Sequence, residues 1–298
     1  MSRFRLPAAT RIGRVHLRVA DLERSLGFYR ELLGFRVLRE GLDSVSLSTT
    51  GEPPELILLS ERRGARPKPP RTTGLYHFAI LLPARRDLAR VLLRLHDAQW
   101  PRHGFADHAV SEAVYLPDPD GNGVEIYADR PREQWRRQNG EILMTTAPLD
   151  LDDLLREAGD PPEPWAGVPP GTTIGHVHLR VSDLEAAERF YEETLGFDVV
   201  ARYYPGARFL SAGGYHHHVA VNVWAGPGAD RPPEDAAGLI DFEIVVPGRA
   251  TVDRLLDRLR ERGVELVELD GRWRVEDPDG IGIVLRSEPE EPEHPAGR

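Results

Sequence analysis

The sequence predicts an α+β protein built from four copies of a strand–helix–strands unit. Residues Arg14 to Phe35, RVHLRVADLERSLGFYRELLGF, align without a gap on His176 to Phe197, HVHLRVSDLEAAERFYEETLGF, so that Arg14 pairs with His176 162 positions on. A second unit also recurs, running from YHFAILLP to AVYLPDPDGNGVEIYAD and again from IDFEIVVP to WRVEDPDGIGIVLRS. Self-similarity of this length marks a repeated supersecondary unit. Inside each copy the apolar pattern changes from alternation to a helical stripe and back.

Each copy of the first unit opens with an alternating strand, VHLRV, followed by Asp21 or Asp183 as a helix cap. The helix carries one apolar stripe, Leu22, Leu26 and Tyr29 in one copy and Leu184, Ala187 and Tyr191 in the other. Gly34 or Gly196 ends it, as a left-handed terminal residue would. Three strands follow: RVLRE, VSLST and ELILLS, or DVVARY, ARFLSA and HHVAVNVW. In the second unit the helices are ARRDLARVLLRLHDA and TVDRLLDRLRERG, and DPDG forms a tight turn between the last two strands. The order is first kind, second kind, first kind, second kind. Residues 132–172, rich in Pro and Gly, carry only the short helix LDDLLREAG and are expected to link two domains, 1–131 and 173–287. The tail 288–298 is polar, proline-rich and expected to be disordered.

With 298 residues, 40% hydrophobic and 29% charged, the chain is long enough for two ordinary globular domains. A net charge of -10 argues against binding to nucleic acid, which requires a basic surface. Lys68 is the single lysine beside many arginines, read as lineage bias rather than a phosphate-binding surface. The absence of cysteine removes disulfides, thiolate metal sites and a Cys nucleophile. The N-terminal stretch lacks a signal-like apolar run and no segment reaches membrane-spanning length, so a cytoplasmic protein is expected.

The two copies of the second unit differ where chemistry could reside. One carries His77 on its first strand and Glu125 on its last; the other carries Asp241 and Val284. A strand histidine is more often a satisfied core or surface residue, and a strand glutamate is more often solvated, so each signal alone is weak. His176 stands where the first copy of the other unit has Arg14, whereas His178 merely repeats His16. His216, His217 and His218 in GYHHHVAV form either a polar turn or part of a site.

The chain resembles the vicinal oxygen chelate superfamily of glyoxalases, resistance proteins and extradiol dioxygenases, and most of all its bacterial two-domain catechol-2,3-dioxygenase-like group. GLYHFAILLP, DHAVSEAVYLPDPDGNGVEIYADRP, IGHVHLRVSDLE and SAGGYHHHVAVNVWAG carry the resemblance, which covers nearly the whole chain. It implies four βαβββ modules forming two half-open barrel domains. It also implies a Fe(II) site, or Mn(II) in some members, held by two histidines and one glutamate, with O2 as co-substrate and a small catechol-like aromatic as substrate. Carried over by motif, His77, Glu125 and His176 match the metal ligands, His217 the acid/base histidine, and Tyr115 and His108 the residues that orient the bound oxygen. Which of His216, His217 and His218 is the acid/base is left open.

This sequence departs from the family pattern, in which both contributing modules lie in the C-terminal domain. With Asp241 and Val284 in the last module, that site is incomplete; Arg14 removes one from the first two modules unless His16 shifts register. The second and third modules are therefore expected to pair. The predicted activity is extradiol cleavage of a catechol. The alternatives are a glyoxalase-like metal-dependent isomerase or transferase and a metal-free binding or resistance protein. Exposed half-barrel edges leave room for a homo-oligomer.

Overall fold

The computed structural model describes residues 4–159 and 162–288; the expected tail lies outside them except for Glu288. The first module contains β1 (Arg11–Val19), α1 (Leu22–Leu26) continued by a π-helical turn (Gly27–Leu32), β2 (Arg36–Glu40), β3 (Ser44–Ser48) and β4 (Ile57–Glu61). The second contains β5 (Gly74–Leu82), α2 (Arg85–Asp97), β6 (Gly104–Asp107), β7 (Ser111–Pro117) and β8 (Gly123–Asp129). The connection holds a two-stranded hairpin, β9 (Arg137–Gln138) and β10 (Glu141–Ile142), and α3 (Leu151–Arg156). The third module contains β11 (Thr173–Arg180), α4 (Leu184–Glu188) with its π-helical turn (Arg189–Leu195), β12 (Asp198–Ala201), β13 (Ala207–Ser211) and β14 (Val219–Asn222). The fourth contains β15 (Gly238–Pro247), α5 (Arg249–Glu261), β16 (Val267–Leu269), β17 (Arg272–Glu276) and β18 (Gly282–Glu288). Among the described residues no helix is long and apolar enough to cross a membrane.

Local chemistry sets these boundaries. The Asp21 carboxylate accepts the Arg24 amide, and Asp183 accepts those of Glu185 and Ala186, so each helix start has a donor satisfied. Gly34 and Gly196 follow the π-helical turns with φ of 80° and 95°, where a Cβ would be strained. On α2, Leu88, Val91, Leu92 and Leu95 are buried. Each such side chain contributes about 1.5–3 kcal/mol when fully removed from water.

The two eight-stranded sheets are assembled across the sequence halves. One runs β16-β17-β18-β15-β1-β4-β3-β2 and joins modules one and four; the other runs β12-β13-β14-β11-β5-β8-β7-β6 and joins modules two and three. Each curls into a half-barrel, as the α+β prediction required. The expected division into domains 1–131 and 173–287 follows the chain, but neither half closes its own sheet. β5 pairs antiparallel with β11, and β1 with β15, so the inner strand of every module finds a partner in the opposite half instead of remaining an open edge.

Helix-side contacts tie consecutive modules together. The buried Tyr29 hydroxyl donates to Asp118 at 2.8 Å, linking modules one and two; Tyr191 donates to Asp277 at 3.0 Å, linking three and four. These aspartates open the two DPDG turns. Asp277 Oδ1 also accepts the amides of Asp279 and Ile281, both at 2.9 Å. The turns are therefore buried joints as well as chain reversals, and Gly121 and Gly280 supply their positive φ. The connection is not a free linker either. On α2, Arg85 bridges to Asp153 of α3 at 2.6 Å and Glu157 at 3.2 Å.

Burial pushes the Asp277 carboxyl from its ordinary 3.8 up to about 7. Between those values the native chain holds a proton that the unfolded chain has lost, so this group's contribution to stability falls as pH rises through the window. Relative to the parent protein, the unfolding temperature of Asp277→Asn should rise as pH goes from about 4 to 7, because the component that falls over that window is gone.

Candidate active site

Strand alternation divides the β5–β11 sheet into two faces. Phe78, Ile80, Leu82, Val124 and Ile126 belong to the main buried core. Ala79, Ala113 and Tyr127 form a separate cluster with Leu81 and Tyr115 on the concave side. Small residues there leave space for longer polar neighbours. Gly175 serves the same end: a Cβ at that position would lie 1.8 Å from the Tyr127 hydroxyl oxygen.

The concave side brings together the three residues expected to hold a metal. His77 Nε2 lies 3.0 Å from Glu125 Oε2, and His176 Nε2 lies 3.1 Å from the same oxygen. All three are nearly inaccessible, at 6%, 2% and 1% exposure, which marks their polar atoms as an interior cluster rather than a solvated surface. His77 comes from β5, Glu125 from β8 and His176 from β11. The second and third modules thus meet where the sequence reading expected them to meet.

Electrostatics favour a cation at this cluster. Burial lowers His176 from 6.5 to about 4, holding the imidazole neutral at pH 7. Although burial opposes it, the neighbouring His176 and His77 bring Glu125 well below its ordinary range. Two imidazoles and one carboxylate form a donor set suited to a divalent first-row metal. His77 Nε2 is also buried without a hydrogen-bond partner, since its short contact with Glu125 lacks hydrogen-bonding geometry. Such an orphaned nitrogen is costly unless another partner is supplied.

A second cluster, His176, His216 and His217, also has ligand atoms within 4.8 Å of one another. His216 has no free nitrogen to offer it. Its Nε2 lies 3.0 Å from Asp129 Oδ1, and its Nδ1 lies 2.8 Å from His217 Nδ1. The three consecutive histidines are thereby distinguished. His217 lines the cavity, His216 turns towards Asp129, and His218 accepts the Ala212 amide at 3.2 Å beside the Tyr215 and Phe197 rings.

This chain of contacts assigns tautomers. The Asp129 carboxylate accepts the proton on His216 Nε2, leaving the His216 Nδ1 lone pair to accept from His217 Nδ1–H. His217 then keeps its Nε2 lone pair available, and burial holds the ring below its ordinary pKa and neutral. His108 and Tyr115 form a similar series. The Thr145 carbonyl accepts His108 Nδ1–H at 2.5 Å, so His108 Nε2 accepts the Tyr115 hydroxyl proton at 2.6 Å. Tyr115 stays protonated because burial and Glu125 raise it well above its ordinary 10.0.

Sequence reasoning missed several participants. Asp129, two residues after Tyr127, carried no signal beyond an acidic strand end. His178 was attributed to the repeat, yet it lines the cavity and accepts Asn222 Nδ2 at 2.9 Å. Its partner offered a clue, because the first copy has Ser60 where the third has Asn222. Met144 and Thr146 also line the cavity, though both belong to the segment read as a linker.

The other sheet shows what the same scaffold holds without such ligands. Asp241 pairs with Gly282 as His77 pairs with Gly123, and Glu243 meets Val284 as Ala79 meets Glu125. The buried Arg14 guanidinium lies 3.2 Å from Glu55 and 3.3 Å from Asp241. His16 is engaged by Asp241 at 3.2 Å and Ser60 at 2.8 Å, so it does not replace a missing ligand. Here a cation belonging to the chain itself pairs with two carboxylates.

The model of the Glyoxalase/Bleomycin resistance protein/Dioxygenase superfamily matches residues 11–126 and 173–285, and the chain belongs to that superfamily. It is 46% identical over 276 residues to the catechol-2,3-dioxygenase of Bacillus subtilis (strain 168), covering 90% of this chain and 94% of that one. This nearly end-to-end match makes the chain an enzyme of the dioxygenase kind. It is also 30% identical over 139 residues to biphenyl-2,3-diol 1,2-dioxygenase 3 of Rhodococcus globerulus, covering 45% and 73% of the two chains. Two solved structures share the fold. A candidate dioxygenase from Bacillus subtilis subsp. subtilis str. 168 superposes with a TM-score of 0.67 at 14% identity, covering 96% of this chain and 86% of that one. Glyoxalase I from Zea mays gives 0.56 at 18% identity, covering 93% and 92%.

Buried histidines give the metal-free protein a pH signature. Burial lowers His176 to about 4 and His218 to about 3, while the unfolded chain protonates near 6.5. The unfolded state therefore binds more protons below pH 6.5, and stability falls with acidification. The unfolding temperature of chelator-treated His218→Gln should fall less between pH 6.5 and 4.5 than that of the parent protein.

Proposed function

We propose that the protein cleaves the ring of a catechol in the extradiol manner, using Fe(II) held by His77, Glu125 and His176 and consuming O2. The observation that carries this reading is one buried carboxylate facing two imidazoles at 3.0 and 3.1 Å beside a cavity. Its relation to the 46% identical catechol-2,3-dioxygenase favours this chemistry over isomerisation or simple sequestration.

When bound, the metal supplies a Lewis acid that acidifies a catechol hydroxyl, with open positions for substrate and O2. Residues of the chain do the rest. His217, with its Nε2 lone pair free, takes a proton from the second catechol hydroxyl and returns it later in the cycle. Asp129 and His216 hold His217 in that tautomer through the contacts at 3.0 and 2.8 Å. Tyr115 presents a hydroxyl towards the substrate oxygens; His108 fixes its rotor by accepting its proton. The apolar cavity walls exclude water from the reacting ring.

His77→Ala, His176→Ala and Glu125→Gln should each lose iron in equilibrium dialysis followed by elemental analysis, whereas Arg14→Ala should retain it. Retention by His176→Ala would remove the proposed ligand set. His217→Ala should keep its metal and lose about 10²–10⁴-fold in kcat. Loss of metal from that variant would favour the three-histidine cluster instead. The reaction itself is tested by oxygen uptake and visible absorbance after anaerobically iron-loaded protein meets catechols in air. Stoichiometric uptake with a yellow product supports ring cleavage; metal binding without uptake would point to an isomerase or transferase.

A further inference from the structure

We propose that the substrate is a neutral catechol bearing an apolar alkyl or aryl substituent, selected by a wall that includes Met144, Tyr204, Phe209 and Trp224. This rests on the catechol reading above and narrows it. The cavity has a volume of about 400 Å³, within the range of about 300–1,000 Å³ that accepts drug-sized ligands. It is larger than an unsubstituted ring would fill.

The lining has two unlike parts. His77, Glu125, Tyr115 and His217 provide polar groups at one side, while Phe105, Val110, Met144, Tyr204, Phe209 and Trp224 provide an apolar remainder. That remainder is well supported. The Tyr203 hydroxyl accepts the Met144 amide at 2.5 Å and so fixes the connection against the third module. Phe209 packs on Tyr204 with ring centroids 5.2 Å apart and on His217 at 5.1 Å. Trp224 packs edge-on against Tyr76 at 5.4 Å and remains 49% exposed, placing it at the mouth.

Charge excludes the other common class of substituted catechol. Among the described residues, the lining contains neither Lys nor Arg. A carboxylate substituent would leave water without a cation to receive it, a large penalty for a buried charge. The net charge of -10 adds long-range repulsion. An apolar substituent instead exchanges water for the ring faces and the Met144 side chain.

The test compares 4-methylcatechol and 3-phenylcatechol with 3,4-dihydroxybenzoate and 3,4-dihydroxyphenylacetate. Oxygen uptake by iron-loaded protein gives kcat/KM, and calorimetry on metal-depleted protein gives affinity without turnover. The neutral compounds should lead by at least about 100-fold in kcat/KM and bind more tightly. Met144→Lys should reduce that lead at least about tenfold by improving the carboxylated compounds, with Trp224→Arg as a second variant at the half-exposed mouth. Equal or better turnover of carboxylated catechols by the parent protein would overturn the proposal. If no catechol is turned over, the dioxygenase reading fails on its own and calorimetry decides this one. Tighter binding of neutral catechols sustains it; absent binding or a carboxylate preference overturns it.

Discussion

The antiparallel pairing of β5 with β11 is the constraint on which the candidate site depends. His77 sits on one strand and His176 on the other, 99 residues apart in a chain whose halves resemble each other. Their register sets His178 against His77 and His176 against Ala79, which turns the polar side chains to the concave face. A slip of one residue in either strand would direct its histidines into the helix-covered core and bring its apolar residues into the cavity. Gly175 protects this arrangement by allowing the Tyr127 hydroxyl to approach the β11 backbone.

Two half-barrels with the same topology solve the problem of buried charge differently. Around Arg14 the cation is part of the chain, and Glu55 and Asp241 neutralise it. Around Glu125 the carboxylate meets two imidazoles, and burial keeps the His176 ring uncharged. The repeat aligns these places one to one: Arg14 with His176, Glu55 with His217, Ser60 with Asn222. Substitution at a few aligned positions separates a structural ion cluster from a ligand set.

The connection between the halves has a larger role than its composition suggests. Its Pro- and Gly-rich sequence resembles a spacer, but α3 is anchored by Arg85, and the Thr145 carbonyl orders His108 and therefore Tyr115. Met144 completes the apolar side of the cavity. Passage from module two to module three thus crosses the site, which couples the geometry of the pocket wall to the β5–β11 pairing.

The module repeat, the helix caps at Asp21 and Asp183, the glycine termini and the DPDG turns were legible in the sequence because each depends on residues close in the chain. The distinctive His77, Glu125 and His176 were legible as departures from the repeat. Tertiary structure alone decided what depends on distant partners. It paired module one with module four, turned the DPDG aspartates into receivers of Tyr29 and Tyr191, separated the roles of His216, His217 and His218, and placed Asp129 behind them. Local propensity carries no information about which strand lies beside which, whereas hydrogen-bonding and burial energies are settled only when those neighbours meet.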